Sequence, residues 1–284
     1  MGEADSRNSE ISAVDTVSKT VLITGATGVL GTSLLAHPSA RANRLRGMSH
    51  RAVAATASAS SVQWVRADLA TGDGLDAALD GIEVIIHAAT DSRDGWRVDV
   101  EGTDRLTDAA QRANVKHLVY VSIVGIDRIP LAYYQIKGYA EQLVHGNRVP
   151  YSIVRGTQFH DFIDTLARKM ARFPIAFAPA GFLSQPIHVD EFAGALWDRV
   201  EAGPVGRARD VAGPEVLSMR RMVRSWLDAQ RRRAIVIPIP LPGRLAAALR
   251  GGEATAPLRA VGLLTWDAWL QQRYGDASPS LTQR

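Results

Sequence analysis

The sequence predicts an α/β protein with a doubly wound parallel sheet, helices on both faces and a small C-terminal substrate-binding cap. Three observations predict this class. Short apolar runs without polar alternation recur between helical segments, as in a parallel sheet covered on both faces. Three glycines at three-residue spacing follow the first of these runs, where such a sheet turns into its first helix. Beyond Pro174 the pattern changes to proline-interrupted loops, which indicates a cap over the strand ends.

The composition excludes several kinds of chemistry. The chain has no cysteine, so disulfides, thiolate catalysis and cysteine-ligated zinc are ruled out, and we predict no metal site. It carries 33 Lys and Arg against 29 Asp and Glu, a small excess that suits anionic small molecules. The densest arginines lie between Arg220 and Arg233 at the spacing of a solvated helix face, so we expect no nucleic-acid partner.

The distribution of apolar residues along the chain indicates where in the cell the protein is located. Residues 1–19 are polar and have no apolar core of signal-peptide length. No later segment is an uninterrupted apolar run long enough to cross a bilayer. We therefore expect a cytoplasmic protein with no membrane partner.

The glycine turn is the first candidate binding site. Val21, Leu22 and Ile23 form a short buried strand, and Gly25, Gly28 and Gly31 follow it. In a dinucleotide site these glycines would permit the sharp exit from the strand, the close approach of a pyrophosphate and the packing of the new helix against the sheet. An ordinary glycine-rich turn is the alternative. The predicted cofactor-binding residues here are Gly25, Thr27, Gly28, Val29 and Leu30.

The end of the second strand selects the form of the cofactor. Sites for NAD usually place an acid about 20 residues beyond the first glycine, where it binds the ribose hydroxyls. The stretch from Arg44 to Arg51 contains no acid. Ser49, His50 and Arg51 would instead receive a 2′-phosphate, with Arg46 as a further candidate, unless they are only surface residues of a poorly shaped strand. We therefore predict NADP(H) in preference to NAD(H).

Three further strands extend the predicted sheet. Residues 62–69 read as the third strand and its turn, 84–90 as the fourth strand and 117–122 as the fifth. Asp68 would bind the adenine amine or cap a turn, and Leu69 lies beside it. The fourth strand runs into small residues against which a cofactor would lie. Its predicted cofactor-binding residues are His87, Ala88, Ala89 and Thr90.

A tyrosine and a lysine carry the candidate chemistry. Tyr133 and Lys137 stand four residues apart, so they share one face of a helix. A phenol has a pKa of about 10 and is a poor acid–base catalyst unless a neighbouring ammonium stabilises its phenolate. Lys137 would do this and hold the nicotinamide ribose, while Tyr133 passes a proton to a carbonyl oxygen. Packing of a phenol beside a solvated lysine is the alternative.

These motifs together form a family resemblance. The stretch from Thr24 to Gly31, the strand end from His87 to Thr90, residues 101–103, Ser122 and the pair Tyr133 and Lys137 resemble extended or atypical short-chain dehydrogenases/reductases. Within these the chain is most similar to the NmrA-like, NAD(P)H-binding, epimerase/dehydratase-like branch, over residues 20–270. The resemblance implies a Rossmann-type sheet.

The resemblance also implies roles for residues near the substrate. Ser122 would hydrogen-bond the substrate carbonyl, or, in the extended-type alignment, Val124 takes that position and Ser122 is structural. The segment from Gly156 to His160 would pass close to nicotinamide and substrate. Gly156 is then a cofactor residue, and Gln158, Phe159 and His160 belong to the substrate pocket. Tyr134 is the alternative tyrosine facing substrate, and a polar loop that begins a helix is the alternative for His160.

The predicted organisation is a flexible N-terminus (1–19), a NAD(P)-binding core (20–156), a mixed region that completes the sheet and forms the cap (157–274) and a flexible tail (275–284). We expect a monomer or homodimer that acts on a small molecule, an NADPH-dependent oxidoreductase reducing a carbonyl, enone or quinone-like compound. An epimerase or dehydratase without net redox change and a non-catalytic NAD(P) sensor are the alternatives. A late strand is predicted at 210–214, and helices at 219–230 and 265–270.

Overall fold

A computed structural model describes residues 18–52, 61–91 and 93–275. In these ranges seven parallel strands form the central sheet, in the spatial order β3-β2-β1-β4-β5-β6-β9. The predicted flexible ends lie almost wholly outside the described residues. The strands of the sheet are β1 (Thr20–Thr24), β2 (Arg44–Ser49), β3 (Val62–Arg66), β4 (Val84–His87), β5 (His117–Ile123), β6 (Tyr151–Gly156) and β9 (Gly206–Arg207).

Helices cover both faces of this sheet, which confirms the predicted fold class. One face packs against α1 (Val29–Ala36) and α6 (Val189–Ala202) in one apolar cluster. The other face packs against α2 (Leu75–Leu79), α3 (Gly102–Arg112) and α4 (Ala132–Gly146) in a second cluster. A π-helical turn, Trp96–Glu101, leads directly into α3. The central strands lack polar alternation because both of their faces are buried.

The cap is built from the remaining elements around a tryptophan core. Two strands, β7 (Ile175–Pro179) and β11 (Ile235–Ile239), pair in parallel, and β8 (Leu183–Ser184) pairs antiparallel with β10 (Leu217–Ser218). The core contains Trp226, Trp266 and Trp269, which are all buried. The cap helices are α5 (His160–Met170), α7 (Met219–Ala229), α8 (Arg244–Arg250) and α9 (Trp266–Tyr274).

The predicted late strand at 210–214 is wrong. The seventh strand of the sheet is Gly206–Arg207, which pairs with Ser152 and Ile153 of β6. Val211 and Ala212 form only isolated bridges, to Gly156 and to Ala260. After the two residues of β9 the chain leaves the edge of the sheet and crosses to the cap. The apolar residues Val211 and Ala212 therefore lie beyond the end of β6 and do not extend the strand.

Candidate active site

A cavity of about 990 Å³ opens along the carboxyl ends of the parallel strands, where ligands bind in sheets of this kind. Its lining divides into two groups by position in the chain. A cofactor side consists of the glycine turn and the ends of β2, β3 and β4. The other side, here called the chamber, is formed by the end of β6, by α4 and by the cap. The chamber wall includes Phe159, Phe162, Ile163, Leu166, Met170, Phe182, Leu183, Met219, Leu245 and Leu249.

The glycine turn has the shape of a phosphate cradle. Gly25 has a φ of +66°, and a Cβ built there would lie 2.8 Å from the Cα of Ala89. A Cβ at Gly31 would overlap the carbonyl oxygen of Gly25. The Gly28 N–H donates to that carbonyl oxygen over 2.9 Å, and α1 begins at the next residue. These residues fit a dinucleotide, whose pyrophosphate would lie against backbone at the start of α1.

The end of β2 lines the cavity through two of its four candidate residues. Ser49 and His50 are part of the lining, whereas Arg51 is exposed beside it, and its backbone N–H donates to Ser49 Oγ over 3.1 Å. The prediction that Arg46 could bind the 2′-phosphate is wrong. Its Nη1 donates to the carbonyl oxygens of Ala78 and Asp80, over 2.9 and 2.8 Å. Arg46 lies in the middle of β2, and its side chain is held at the end of α2.

The ends of β3 and β4 contribute most of their predicted cofactor residues. Asp68 and Leu69 line the cavity, and so do Ala88, Ala89 and Thr90; on the glycine turn Gly25, Thr27, Gly28, Val29 and Leu30 do the same. Asp68 Oδ1 accepts a hydrogen bond from the Ala70 N–H over 2.8 Å. One carboxylate oxygen therefore stabilises the turn, and the residue still faces the cavity.

His87 does not line the cavity, contrary to the prediction. It is buried below the end of β4, with Nδ1 2.7 Å from Thr24 Oγ1 and Nε2 3.0 Å from Thr103 Oγ1. Thr103 Oγ1 donates to the Asp99 carbonyl oxygen, so it accepts from His87 Nε2–H. Burial, with a contribution from Lys137, lowers the pKa of His87 to about 3. The imidazole is neutral and supports the strand end.

Tyr133, Lys137 and Ser122 line the cavity, on α4 and at the end of β5, and we place them at the junction between its two sides. Burial raises the pKa of Tyr133, contact with Thr90 opposes this rise, and the charge of Asp99 adds to it. This direction is opposite to the lowering that a neighbouring ammonium alone would cause. Its reason is that the phenol is largely desolvated and that a carboxylate lies close to Lys137. Tyr133 therefore remains protonated at neutral pH, as a proton donor requires.

Asp99 is a site residue that the sequence reading missed. Its carboxylate is buried, and Oδ1 lies 3.6 Å from Lys137 Nζ, while Oδ2 accepts from the Asp91 N–H over 3.0 Å. Lys137 Nζ also lies 4.4 Å from the centroid of the Tyr120 ring. Burial lowers the pKa of Lys137 and Asp99 opposes this shift. The nearest signal in the sequence is the segment 101–103 of the family resemblance, which assigns no role to Asp99.

Ser122 and Val124 differ in what they face. Both are buried, but Ser122 lines the cavity and Val124 is not part of the described lining. The Ser122 Oγ has no hydrogen-bond partner among the described residues. A buried hydroxyl without a partner is costly, and a ligand atom would satisfy it only if the side chain turned its Oγ, which is shielded in this conformation, towards the cavity. Of the two residues, only Ser122 is therefore part of the described lining.

Two of the three predicted substrate-pocket residues line the chamber. Gln158 and Phe159 do so, next to Gly156, and Gln158 Oε1 accepts from Ser184 Oγ over 2.5 Å. Contact with Gln158 opposes the rise that burial causes in the pKa of Tyr134, which also lines the chamber. Phe182 and Leu183 form part of the apolar chamber wall. Phe177 does not, because its side chain points outwards from β7.

The prediction that His160 belongs to the substrate pocket is wrong, because His160 is not part of the described cavity lining. As the first residue of α5 it points into the cap core, with its ring centroid 5.8 Å from that of Trp266 and 5.5 Å from that of Trp269. Neither ring nitrogen has a hydrogen-bond partner among the described residues. Burial, with the nearby His188 second, lowers the pKa of His160 to about 3.

These buried histidines predict a loss of stability in mild acid. The pKa of His160 is about 3, and burial lowers that of His117 to about 4, against about 6.5 in an unfolded chain. The unfolded state therefore binds more protons as the pH falls below 6.5. Each histidine should lower the free energy of unfolding by about 2 kcal/mol between pH 7 and pH 5.

Urea unfolding of wild type and His160→Phe at both pH values measures this effect. The variant has no group to protonate beside the two tryptophans, so its loss of stability on acidification should be smaller by about 2 kcal/mol. Equal losses in the two proteins would contradict the burial of a neutral imidazole.

Together the fold, the glycine cradle and the cavity define a dinucleotide-binding α/β protein of the Rossmann type. The chain belongs to the NAD(P)H-binding family, whose model matches residues 25–172. The resemblance to atypical short-chain dehydrogenases/reductases of the epimerase/dehydratase-like kind is confirmed.

Two curated relatives share parts of the chain. Sterol demethylase protein B of Methylococcus capsulatus is 35% identical over 114 residues, which are 37% of this chain and 35% of that protein. The 3 beta-hydroxysteroid dehydrogenase/Delta 5→4-isomerase of Mycobacterium tuberculosis is 31% identical over 115 residues, which are 36% of this chain and 31% of that protein. The matches therefore span about a third of the length of either relative.

Solved structures share the fold over most of the chain. Triphenylmethane reductase of Citrobacter has a TM-score of 0.72 at 16% identity and covers 90% of this chain and 99% of its own. NADPH-dependent quinone oxidoreductase of Escherichia coli has a TM-score of 0.70 at 17% identity, with coverages of 89% and 99%. The dTDP-glucose 4,6-dehydratase of Bacillus anthracis has a TM-score of 0.71 at 15% identity, with coverages of 91% and 96%.

In the described part of the chain, no helix combines the length and the apolar character needed to cross a bilayer.

Proposed function

We propose that this protein is an NADPH-dependent reductase of an uncharged, largely apolar carbonyl, enone or quinone-like compound. One observation carries the proposal: a single cavity joins the glycine cradle to the chamber, and Tyr133 and Ser122 both line it. A bound dinucleotide supplies a hydride for transfer. Proton donation and substrate binding fall to the side chains of this protein.

Tyr133 is the proposed proton donor. Its raised pKa keeps the phenol protonated at neutral pH, so it gives its proton only to an oxygen that is gaining negative charge. In this proposal a turn of the Ser122 side chain lets Oγ donate a hydrogen bond to the same oxygen, which gives the hydroxyl the partner that it lacks. Lys137 places a positive charge on the Tyr133 face of α4, and the phenolate left after proton transfer is stabilised by that charge.

Asp99 positions Lys137. The Asp99 carboxylate lies 3.6 Å from Lys137 Nζ, and it holds the ammonium at the buried end of the site. The pair also limits the cost of burying the charge of Lys137, because an unpaired ammonium in this position would lose its proton more easily.

The chamber supports an apolar substrate over a nucleotide sugar. None of the described residues of its wall is charged, and the charged lining residues Asp68, Asp91 and Lys137 belong to the cofactor side or the junction. A sugar diphosphate would need cations at the substrate end. The names of two partial relatives, a sterol demethylase protein and a 3 beta-hydroxysteroid dehydrogenase, agree with an apolar substrate.

The preference for NADPH is supported by the end of β2. Ser49 and His50 line the cavity there, Arg51 is exposed beside them, and no acid is present to repel a 2′-phosphate. The test is oxidation of NADPH and NADH in the presence of apolar ketones, enones and quinones, with a nucleotide sugar as the comparison. We expect turnover with apolar compounds and a higher kcat/KM for NADPH. Turnover of the nucleotide sugar alone would contradict the proposal.

A further inference from the structure

The cap has an apolar outer face formed by the ribbon of β7 and β11. In this parallel pair Ile175 lies opposite Ile235 and Phe177 lies opposite Ile237. The alternate residues Ala176 and Val236 point inwards and are buried. The outward side chains are between 37% and 67% exposed: Phe173, Ile175, Phe177, Ile235, Ile237 and Ile239.

Such a face is unusual for a strand pair next to water. Ribbons with one buried side normally alternate apolar and polar residues, whereas here the outer positions are also large and apolar. Contiguous exposed apolar surface of this kind marks a contact surface. The charges around this face indicate which kind of partner binds it.

The chain segments that carry the ribbon contain only cations. Between Asp164 and Asp190 the sequence has no acid and includes Arg168, Lys169 and Arg172. Between Asp228 and Glu253 it again has no acid and includes five arginines, three of which directly precede β11. Because β7 and β11 are parallel, Arg172 and this arginine triplet lie at the same end of the ribbon.

A cleft of about 370 Å³ lies at that end. It is lined by Arg224, Arg232 and Arg233 together with Asp228, Pro174 and Ile235. Arg232 is partly engaged, since its Nη2 donates to the Ala171 carbonyl oxygen over 2.7 Å. The cleft therefore places an excess of positive charge directly beside the first outward residue of β11.

We propose that the outer face of the β7–β11 ribbon docks on the surface of a bilayer that contains anionic phospholipid. Apolar side chains entering the interfacial region and arginines facing phosphate headgroups are the two attractions that peripheral membrane binding combines. This peripheral contact needs no spanning helix, so it revises the expectation of no membrane partner, which rested on the lack of an apolar run.

The charges disfavour a second copy of this chain on the same face. A symmetric pair would bring the same patch of both molecules together, and with it the cations of both ribbons. Anionic headgroups attract these cations instead. The cap that carries the face also lines the chamber, through Phe162 and Met170 of α5 and Leu245 of α8, so under the proposed function a bilayer would hold a dissolved apolar substrate against the part of the protein that binds it.

Sedimentation with vesicles tests the docking without cofactor or substrate, so its outcome does not depend on the proposed function. The full chain is mixed with vesicles of phosphatidylcholine alone or with phosphatidylglycerol added. We expect binding only to the anionic vesicles and release at high salt, because surface charges are then screened.

Two double variants separate the two attractions. Phe177→Thr with Ile237→Thr places threonine, which suits a strand, at both positions and should weaken binding by about tenfold or more. Arg172→Gln with Arg233→Gln should weaken it by about fivefold for each arginine. The matched controls are Leu263→Thr, at a side chain 86% exposed elsewhere on the surface, and Arg148→Gln. Both should bind as wild type does.

Three results would overturn the proposal. One is the lack of sedimentation of wild type with anionic vesicles, and another is equal binding by wild type and the ribbon variant. The third is a dimer in analytical ultracentrifugation, or a complex with duplex DNA, that the variants abolish while no vesicle binding occurs. Circular dichroism of each variant confirms that the fold is retained.

Discussion

Replacing Tyr133 by phenylalanine should lower kcat for reduction by about 100- to 10,000-fold, the usual contribution of a positioned general acid. The ring and its packing remain, so only the proton is removed from the junction of cofactor side and chamber. The dissociation constant for NADPH should stay within about twofold of wild type, because the Tyr133 hydroxyl acts on substrate. Steady-state kinetics and fluorescence titration with NADPH measure the two quantities.

Two companion variants make this result specific. Tyr139 lies on the same helix but is half exposed and not part of the cavity lining, so Tyr139→Phe should retain wild-type kcat. Tyr134 lines the chamber beside Gln158 and is the competing donor. If Tyr134→Phe removes activity and Tyr133→Phe does not, the assignment of the proton donor to Tyr133 is wrong.

Replacing Gly25 by alanine should raise the dissociation constant for NADPH by about 10- to 100-fold, the cost of losing one hydrogen bond to a charged phosphate. The added Cβ would meet the backbone of Ala89 at 2.8 Å in a residue whose φ is +66°. The turn must move to relieve this contact, and its N–H groups then no longer match the pyrophosphate. Isothermal titration with NADPH measures the change.

Gly81 supplies a matched control for the Gly25 variant. Its φ of +67° is nearly the same, but nothing lies within 4 Å of a Cβ built there. Gly81→Ala therefore carries the same backbone strain, about 1 kcal/mol, without the clash. It should lower the melting temperature slightly and leave NADPH affinity unchanged. A similar loss of affinity in both variants would mean that strain, and not the contact with Ala89, sets the effect.

The cofactor side could be predicted because its signals are local in the sequence. The glycines, the acid-free end of β2 and the small residues after β4 lie next to the strands that carry them, so the strand order of a parallel sheet brings their ends together. The shared face of Tyr133 and Lys137 follows in the same way from helix geometry.

The chamber could not be predicted to the same extent because its wall comes from distant parts of the chain. Leu245 and Leu249 of α8 face the cavity only because the cap folds back over the strand ends. The predicted roles of His160 and Arg46 are wrong because the position of a residue in the sequence does not determine which way its side chain points from a helix or strand. Asp99 was missed because its role depends on burial beside Lys137.

Transfer of deuterium from NADPH labelled at the reactive position of the nicotinamide tests the central claim most directly. The protein is incubated with the labelled cofactor and an apolar ketone, enone or quinone, and the product is analysed by mass spectrometry. We predict one deuterium in each product molecule and one NADPH consumed for each product formed. Product formation without label or NADPH consumption would assign the site to epimerisation or dehydration. Tight NADPH binding without any product would assign it to sensing, and either result would contradict the reductase.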